Sequence, residues 1–421
     1  MKKILLGVNS TQKTFKAGYV GIGGAVKNIT EIYIGADNAV KKVWPEFNLV
    51  KGLYLFTVNG APYYATDITK TSTYNKINIT WKSTNAKKVI IYKNYYIIVE
   101  YISNSNIWIH YSTDCINWLQ INTGIVTSSV PDISIINNKL YILYKSTSPA
   151  YSYLTTEDLI NFTIYTYTDA DEDVISEYRF FPAYNNIITK YTANVSSDGY
   201  RYDLGLKLST DGGVTWEKKS SAGYVDYVYG SGISPSNNNL VWEFRDQYII
   251  TNHFHFVALN NSGTYTSSEW SVCKLLDSSL KLVKNLYNAT GGSNSNTNYY
   301  LHPVSKNTLV TEVYTISSNS YAEYYVSAVY LATNVLEATF NKTGKLIKKY
   351  DKTTITYPFT GVYNKDQQAT FIIGSFKKND GNYYLDMWKV NDSDLNNFTT
   401  VLTEEQNNTF YNISNIYYMS N

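Results

Sequence analysis

The sequence predicts an all-β chain built from repeated units, and three observations carry that prediction. A turn of the form hydroxyl-x-Asp, closed by an aromatic residue that opens the next β-prone run, recurs along the chain. Two neighbouring stretches match one another without a gap at an offset of 44 residues. A shorter period of 14 residues runs through the first 47 positions. No segment places apolar residues at helical spacing over a window long enough for a helix.

The fullest turn is Ser209-Thr210-Asp211-Gly212-Gly213-Val214-Thr215-Trp216. Its residue types have physical reasons. The glycines allow the positive φ of a tight turn. The Asp211 carboxylate accepts backbone N–H groups, and Trp216 packs its indole under the turn. Looser copies are Ser112-Thr113-Asp114-Cys115-Ile116-Asn117-Trp118, Thr156-Glu157-Asp158-Leu159-Ile160-Asn161-Phe162 and, apart from its first position, Asp392-Ser393-Asp394-Leu395-Asn396-Asn397-Phe398. The first two of these copies belong to the 44-residue repeat, which pairs Val89 with Ile133, Asn94 with Asn138, Asp114 with Asp158 and Trp118 with Phe162. One unit reads as four strands: Pro131–Ile136, Lys139–Ser146, Tyr151–Thr155 and Phe162–Tyr167. Four antiparallel strands recurring at this spacing describe a β-propeller blade. Weaker turns near Asp67, at Asp277-Ser278-Ser279 and at Asn341-Lys342-Thr343-Gly344 bring the total to seven blades, with six or eight also open. The tail 408–421 runs past the last outer strand and is expected to close the ring on the blade begun near Leu53.

Residues 1–47 read as three small hairpins, a module separate from the propeller of residues 48–421. Gly7, Gly21 and Gly35 correspond, and the turn pairs are Asn9-Ser10, Gly23-Gly24 and Asp37-Asn38, flanked by short β-prone runs. Hairpins of this size are marginal alone and are expected to lean on something else.

Composition narrows the function classes. The 421 residues carry 36 basic and 34 acidic side chains, a net charge of +2, which gives no electrostatic reason for nucleic acid binding. The opening apolar run, Ile4 to Val8, is too short for the core of a signal peptide, and no stretch suits a membrane span. The expectation is a protein made in a cytoplasm without a signal peptide and not inserted in a membrane. Two cysteines, Cys115 and Cys273, do not make a disulfide framework and read as free thiols, Cys115 partly exposed in its turn. Tyr, at 43 residues against 15 Phe, suits strands and contact surfaces alike.

The turns resemble the Asp box, or BNR repeat, of sialidase-like propellers. The tandem Tyr19-Val20-Gly21-Ile22-Gly23-Gly24-Ala25-Val26-Lys27 and Tyr33-Ile34-Gly35-Ala36-Asp37-Asn38-Ala39-Val40-Lys41 resembles a repeat, roughly Y-V-G-x-x-G-x-A-x-K, in tail proteins of phages and prophages of Gram-positive bacteria. This chain departs from that repeat with Val26 and Val40 at the alanine position. The first resemblance implies that the boxes are structural. The second implies a viral protein of the virion: a tail or baseplate component whose residues 1–47 attach to other tail proteins. The expected function is then a non-enzymatic receptor-binding protein with carbohydrate binding, in which propeller loops meet a host-surface glycan. A purely structural tail protein and a glycan-cleaving, sialidase-like tail enzyme are the alternatives, and a homo-oligomer is open.

No catalytic set emerges from the residues themselves. Arg179, Arg201 and Arg245 are three arginines, the number a sialidase needs for its carboxylate clamp, but Tyr178-Arg179-Phe180-Phe181-Pro182 carries one residue too many for the family motif, and Arg201 reads as a turn. Glu100, Glu177, Glu243 and Asp386 are carboxylates within β segments that the sequence cannot bring together as a glycosidase pair. His253 and His255 share a strand face, with His110 and His302 remote, and Asp169, Asp171, Glu172 and Asp173 form an acidic loop without EF-hand spacing. Neither is expected to hold a metal, and no cofactor is expected.

Overall fold

The computed structural model describes residues 19–22, 25–28, 32–36, 39–44, 49–83, 87–102, 104–128, 130–145, 152–166, 180–183, 186–194, 201–218, 226–229, 240–244, 248–257, 268–288, 297–305, 308–315, 321–326, 345–351, 355–356, 359–377, 382–406 and 412–421. Middle strands read as continuous apolar runs because both their faces are covered, as in Tyr95–Tyr101 and Ala369–Lys377. The outer strand Leu119–Thr127 instead alternates half-buried and exposed positions, since one of its faces meets water.

Seven antiparallel sheets of four or five strands follow one another. Blade 2 is Lys88–Tyr92, Tyr95–Tyr101, Ser105–Ser112 and Leu119–Thr127. Blade 3 is Asp132–Ile136, Lys139–Tyr144, Ser152–Thr156 and Phe162–Thr166, within two residues of the strands expected from the sequence. Blades 4, 5 and 6 begin at Phe181–Ala183, Leu240–Phe244 and Thr297–Ser305, and blade 7 is built on Thr360–Asn364. Arg201 opens the strand Arg201–Ser209 of blade 4, paired with Tyr229, and is not in a turn.

Blade 1 closes the ring. Its strands Tyr54–Val58, Ala61–Ala65 and Asn75–Lys76 come from the start of the propeller, and its innermost strand, Ile413–Tyr418, comes from the end of the chain. Ile413 pairs with Val58 and Tyr418 with Tyr54. Thr57 Oγ1 donates to the Ser414 carbonyl at 3.0 Å and lies 2.8 Å from the Ser414 hydroxyl. Inner strands meet in ring order, Ile413–Tyr418 against Lys88–Tyr92, then Asp132–Ile136, Phe181–Ala183 and Leu240–Phe244. On the other side Thr297–Ser305 meets Thr360–Asn364, which returns to Ile413–Tyr418. The apolar cores lie between blades: Ile97, Val99 and Ile109 with Leu140 and Leu154 between blades 2 and 3, and Phe56 with Phe371 and Leu385 between blades 1 and 7.

The N-terminal region pairs as two hairpins, Tyr19–Ile22 with Ala25–Asn28 and Ile32–Ala36 with Ala39–Trp44. Gly21 stands opposite Val26, and Gly35 opposite Val40. Gly7, Gly24 and Asn38, with the whole first hairpin, lie outside the described residues.

Candidate functional site

The box turns join the third and fourth strands of their blades, at one end of the sheets. In blade 2, Ser112 Oγ accepts the N–H groups of Asp114 and Cys115, at 3.1 and 3.0 Å, and donates to Asp114 Oδ1 at 2.9 Å. Asp114 Oδ1 takes the N–H groups of Ile116 and Asn117, and Oδ2 takes the Asn117 amide. Asp158 repeats this pattern with Ile160 and Asn161, and Asp211 with Val214 and Thr215, the Thr215 hydroxyl replacing the amide. Trp118 and Trp216 donate Nε1–H to the carbonyls of Cys115 and Gly213, each at 3.0 Å. Partial desolvation pushes the Asp211 carboxyl up, but hydrogen bonds from Thr215, Ser209 and Val214 outweigh it and hold the group at about 2. The oxygens of these carboxylates are engaged within their own turns.

Three details differ from the sequence reading. Cys115 is buried, and burial pushes its thiol well above the usual range. Trp216 is only half buried, lying against Phe180 of the blade 3–4 core with ring centroids 5.3 Å apart. Asp394 begins the outer strand of blade 7, opposite Asn391, so its copy is a short hairpin with Asn397 donating to Asp394 and Phe398 against the core. The weak turns at Asp67 and Asp277 do form, Asp67 accepting from Thr69 and Asp277 from Ser279 and Lys281, and 341–344 lies outside the described residues.

A different group of polar residues gathers at the opposite rim, where the connection from blade 1 enters blade 2. Glu100 stands near the end of the second strand of blade 2, and His110 is on the third strand, diagonal to it. Both are buried, with Glu100 Oε2 2.8 Å from His110 Nε2. Against a carboxylate acceptor, Nε2 carries the hydrogen. Glu100 Oε1 accepts the backbone N–H of Ser83 at 2.6 Å, which pins the connection onto the blade. Burial lowers the His110 pKa, the Glu100 carboxylate opposes that shift, and Lys82 and Lys87 add to it, so the imidazole is neutral at pH 7.

Aromatic groups and lysines surround this pair. Trp81, half buried, meets the His110 ring edge-on at 5.4 Å, and Trp108, also half buried, is cross-strand from Glu100. Lys87 Nζ donates to the Ser83 carbonyl at 2.8 Å and sits 4.9 Å from the Trp81 ring centroid. The exposed Lys82 places its ammonium 5.2 Å from the Trp108 ring centroid. Desolvation lowers the Lys87 pKa, with Glu100 opposing. With both oxygens engaged and no exposure, the Glu100 carboxylate orders the rim, whereas Trp81 and Trp108 are half buried and Lys82 is exposed.

Sequence reasoning named Glu100 and His110 separately and missed Trp81, Lys82, Ser83, Lys87 and Trp108. The signal that joins them is the turn between the second and third strands of blade 2, which sets Glu100 opposite Trp108. Of the other carboxylates, Asp386 is buried in blade 7, the Glu243 side chain is outside the described residues, and Glu177 is outside them altogether. Arg179, Arg245 and the acidic residues 169–173 are also outside the described residues, as are the side chains of Arg201, His253 and His255. Among the described residues no group of three His, Cys, Asp or Glu could hold a metal ion, and no helix is long and apolar enough to cross a membrane.

No family model matches this chain, and no curated protein matches it. Among solved structures it is similar to a Trypanosoma rangeli sialidase, with 12% identity and a TM-score of 0.33 over 81% of this chain and 59% of that one. It is similar to a GH43 protein of Bacillus licheniformis, with 8% identity and a TM-score of 0.31 over 84% and 87% of the two chains. A Bombyx mori GH32 β-fructofuranosidase gives 12% identity and a TM-score of 0.29 over 64% and 61%. The chain thus spans about three fifths of the Trypanosoma and Bombyx proteins. The expectation of a non-enzymatic protein is corrected here, because these similar proteins are glycan-processing enzymes. At this level of likeness none of their activities passes to this chain.

Proposed function

We propose that the chain is a glycan-processing propeller, in which the rim between blades 1 and 2 holds a glycan for cleavage. The observation that supports this reading is the pair of half-buried indoles, Trp81 and Trp108, steadied by the buried Glu100–His110 pair and its bond to Ser83. Indole faces carry the apolar faces of sugar rings, and a fixed platform spares the ordering cost of a loose loop. Titration of a panel of bacterial surface polysaccharides tests it. Trp81→Ala and Trp108→Ala each weaken binding at least 10-fold if the rim is the site, and equal binding by both variants removes the rim from the account.

The location of the protein belongs to the same proposal. Its N-terminal hairpins attach it to a phage tail or tail-like particle, so that the propeller meets the host surface. The support is the 14-residue repeat and its resemblance to tail-protein repeats, with two of its copies pairing as hairpins.

A further inference from the structure

The charges around the two indoles are uneven. Lys82 and Lys87 stand beside Trp108 and Trp81, and the acidic group among them, Glu100, is already committed to His110 and to the Ser83 N–H. Lys82 takes no part in the lysine–carboxylate pairs Lys70–Asp67 and Lys139–Glu157. Lys82 is exposed, and its ammonium is held over an indole face. A lysine whose function is solubility alone needs no such perch. One held there keeps its charge close to the platform on which a sugar ring would lie.

Resting on the glycan reading above, we propose that this rim is a subsite for an anionic substituent of the glycan, a carboxylate or a phosphate, paired with Lys82 while the attached sugar lies against Trp108. An arriving anion gains a charge-assisted bond from the Lys82 ammonium in addition to contact with the Trp108 indole. A neutral sugar gains only the stacking contact. The preference is therefore for acidic over neutral chains, and it weakens as salt rises.

The test uses the full chain with three probes: tetragalacturonate, its methyl ester, and a phosphodiester-linked glycerol oligomer of the same length. Titration at two salt concentrations is expected to show one of the acidic oligomers binding at least 10-fold more tightly than the ester. Lys82→Met is expected to abolish that difference and Lys82→Arg to keep it, with the melting temperature of both variants unchanged because Lys82 is exposed. Tighter binding of the galacturonate assigns a carboxylate, and tighter binding of the glycerol oligomer assigns a phosphate. Equal binding of acid and ester, or an acid preference surviving in Lys82→Met, overturns the inference and leaves the glycan reading standing. If neither acidic oligomer binds, the inference is also overturned. Neutral polysaccharides then decide the glycan reading: binding that depends on Trp81 keeps it, and no binding ends it.

Discussion

Cys115 and Leu159 stand 44 residues apart at the same place in two successive box turns, and each holds a φ of 60°. Gly213 fills the equivalent place in the third box, with a φ of 97° and Trp216 bonded to its carbonyl just as Trp118 is bonded to that of Cys115. The turn dictates the conformation whichever residue supplies it. At position 213 the added demand is space, since a Cβ would lie 2.9 Å from the Tyr153 hydroxyl. Gly213→Ala is therefore expected to destabilise by about 1–3 kcal/mol, the usual cost of a residue held in a disfavoured conformation. Urea unfolding checks this, and a variant as stable as the parent would mean that the turn relaxes freely.

Trp216→Ala removes a half-buried indole from the blade 3–4 core, and the expected loss is about 2–3 kcal/mol at the usual area coefficient. The buried Asp114, accepting three hydrogen bonds from the turn that follows it, is expected to cost about 1.5–3 kcal/mol as Asp114→Ala. Thermal melting of both variants reads these losses directly.

The box carboxylates also set the response to acid. Asp114, Asp158 and Asp211 all have pKa values lowered from the ordinary 3.8, Asp211 to about 2. A carboxyl whose pKa falls on folding adds stability above its unfolded value and loses it as the pH drops through its folded value. Stability is expected to fall between about pH 4 and pH 2, and Asp211→Asn is expected to flatten that fall slightly, because Asp211 is exposed and solvent-screened. His110 adds a second phase. Its pKa is lowered in the fold, so its contribution is intact above 6.5 and declines as the pH falls below that value. His110→Gln is expected to remove this phase in a pH series of melting temperatures.

The Glu100–His110 pair supports a sharper mutational expectation. Glu100→Ala leaves the buried, neutral His110 Nε2–H without its acceptor and is expected to cost about 1–3 kcal/mol, the range for a buried polar group left unsatisfied. It also removes the carboxylate to which the Ser83 N–H donates. Hydrogen exchange at Ser83 should therefore accelerate in this variant well beyond the change at Ile97, which lies mid-strand in the same blade.

Deletion of 412–421 takes the innermost strand from blade 1, and with it Ile413, Ile416 and Met419 from two inter-blade cores. The expected outcome is loss of cooperative unfolding, read by calorimetry. Deletion of 1–47 is expected to leave a folded propeller that no longer enters particles, scored by particle composition. Normal incorporation would give the hairpins another role.

Much of this architecture was legible in the chain. The 44-residue offset carries Lys88 onto Asp132, Tyr95 onto Lys139 and Ser112 onto Thr156, all of them strand ends, because a blade is a local unit whose turns repeat. Ring closure was legible too, since a surplus strand needs a partner. The rim was not. Its residues come from an irregular connection and from two strands whose register fixes which side chains meet, and nothing in the residue types of Trp81 or Lys87 marks that meeting. Burial of Cys115 was missed for a similar reason: its turn looked exposed, yet the thiol faces the core between blades 1 and 2.

Chain-length analysis of a purified surface polysaccharide, taken from a bacterium to which the protein binds, tests the central claim most directly. The account predicts that the full chain shortens the polymer with multiple turnovers, and that Trp81→Ala with Trp108→Ala, still folded, does so at least 10-fold more slowly. A polymer of unchanged length after prolonged incubation, or equal cleavage by the double variant, would contradict it.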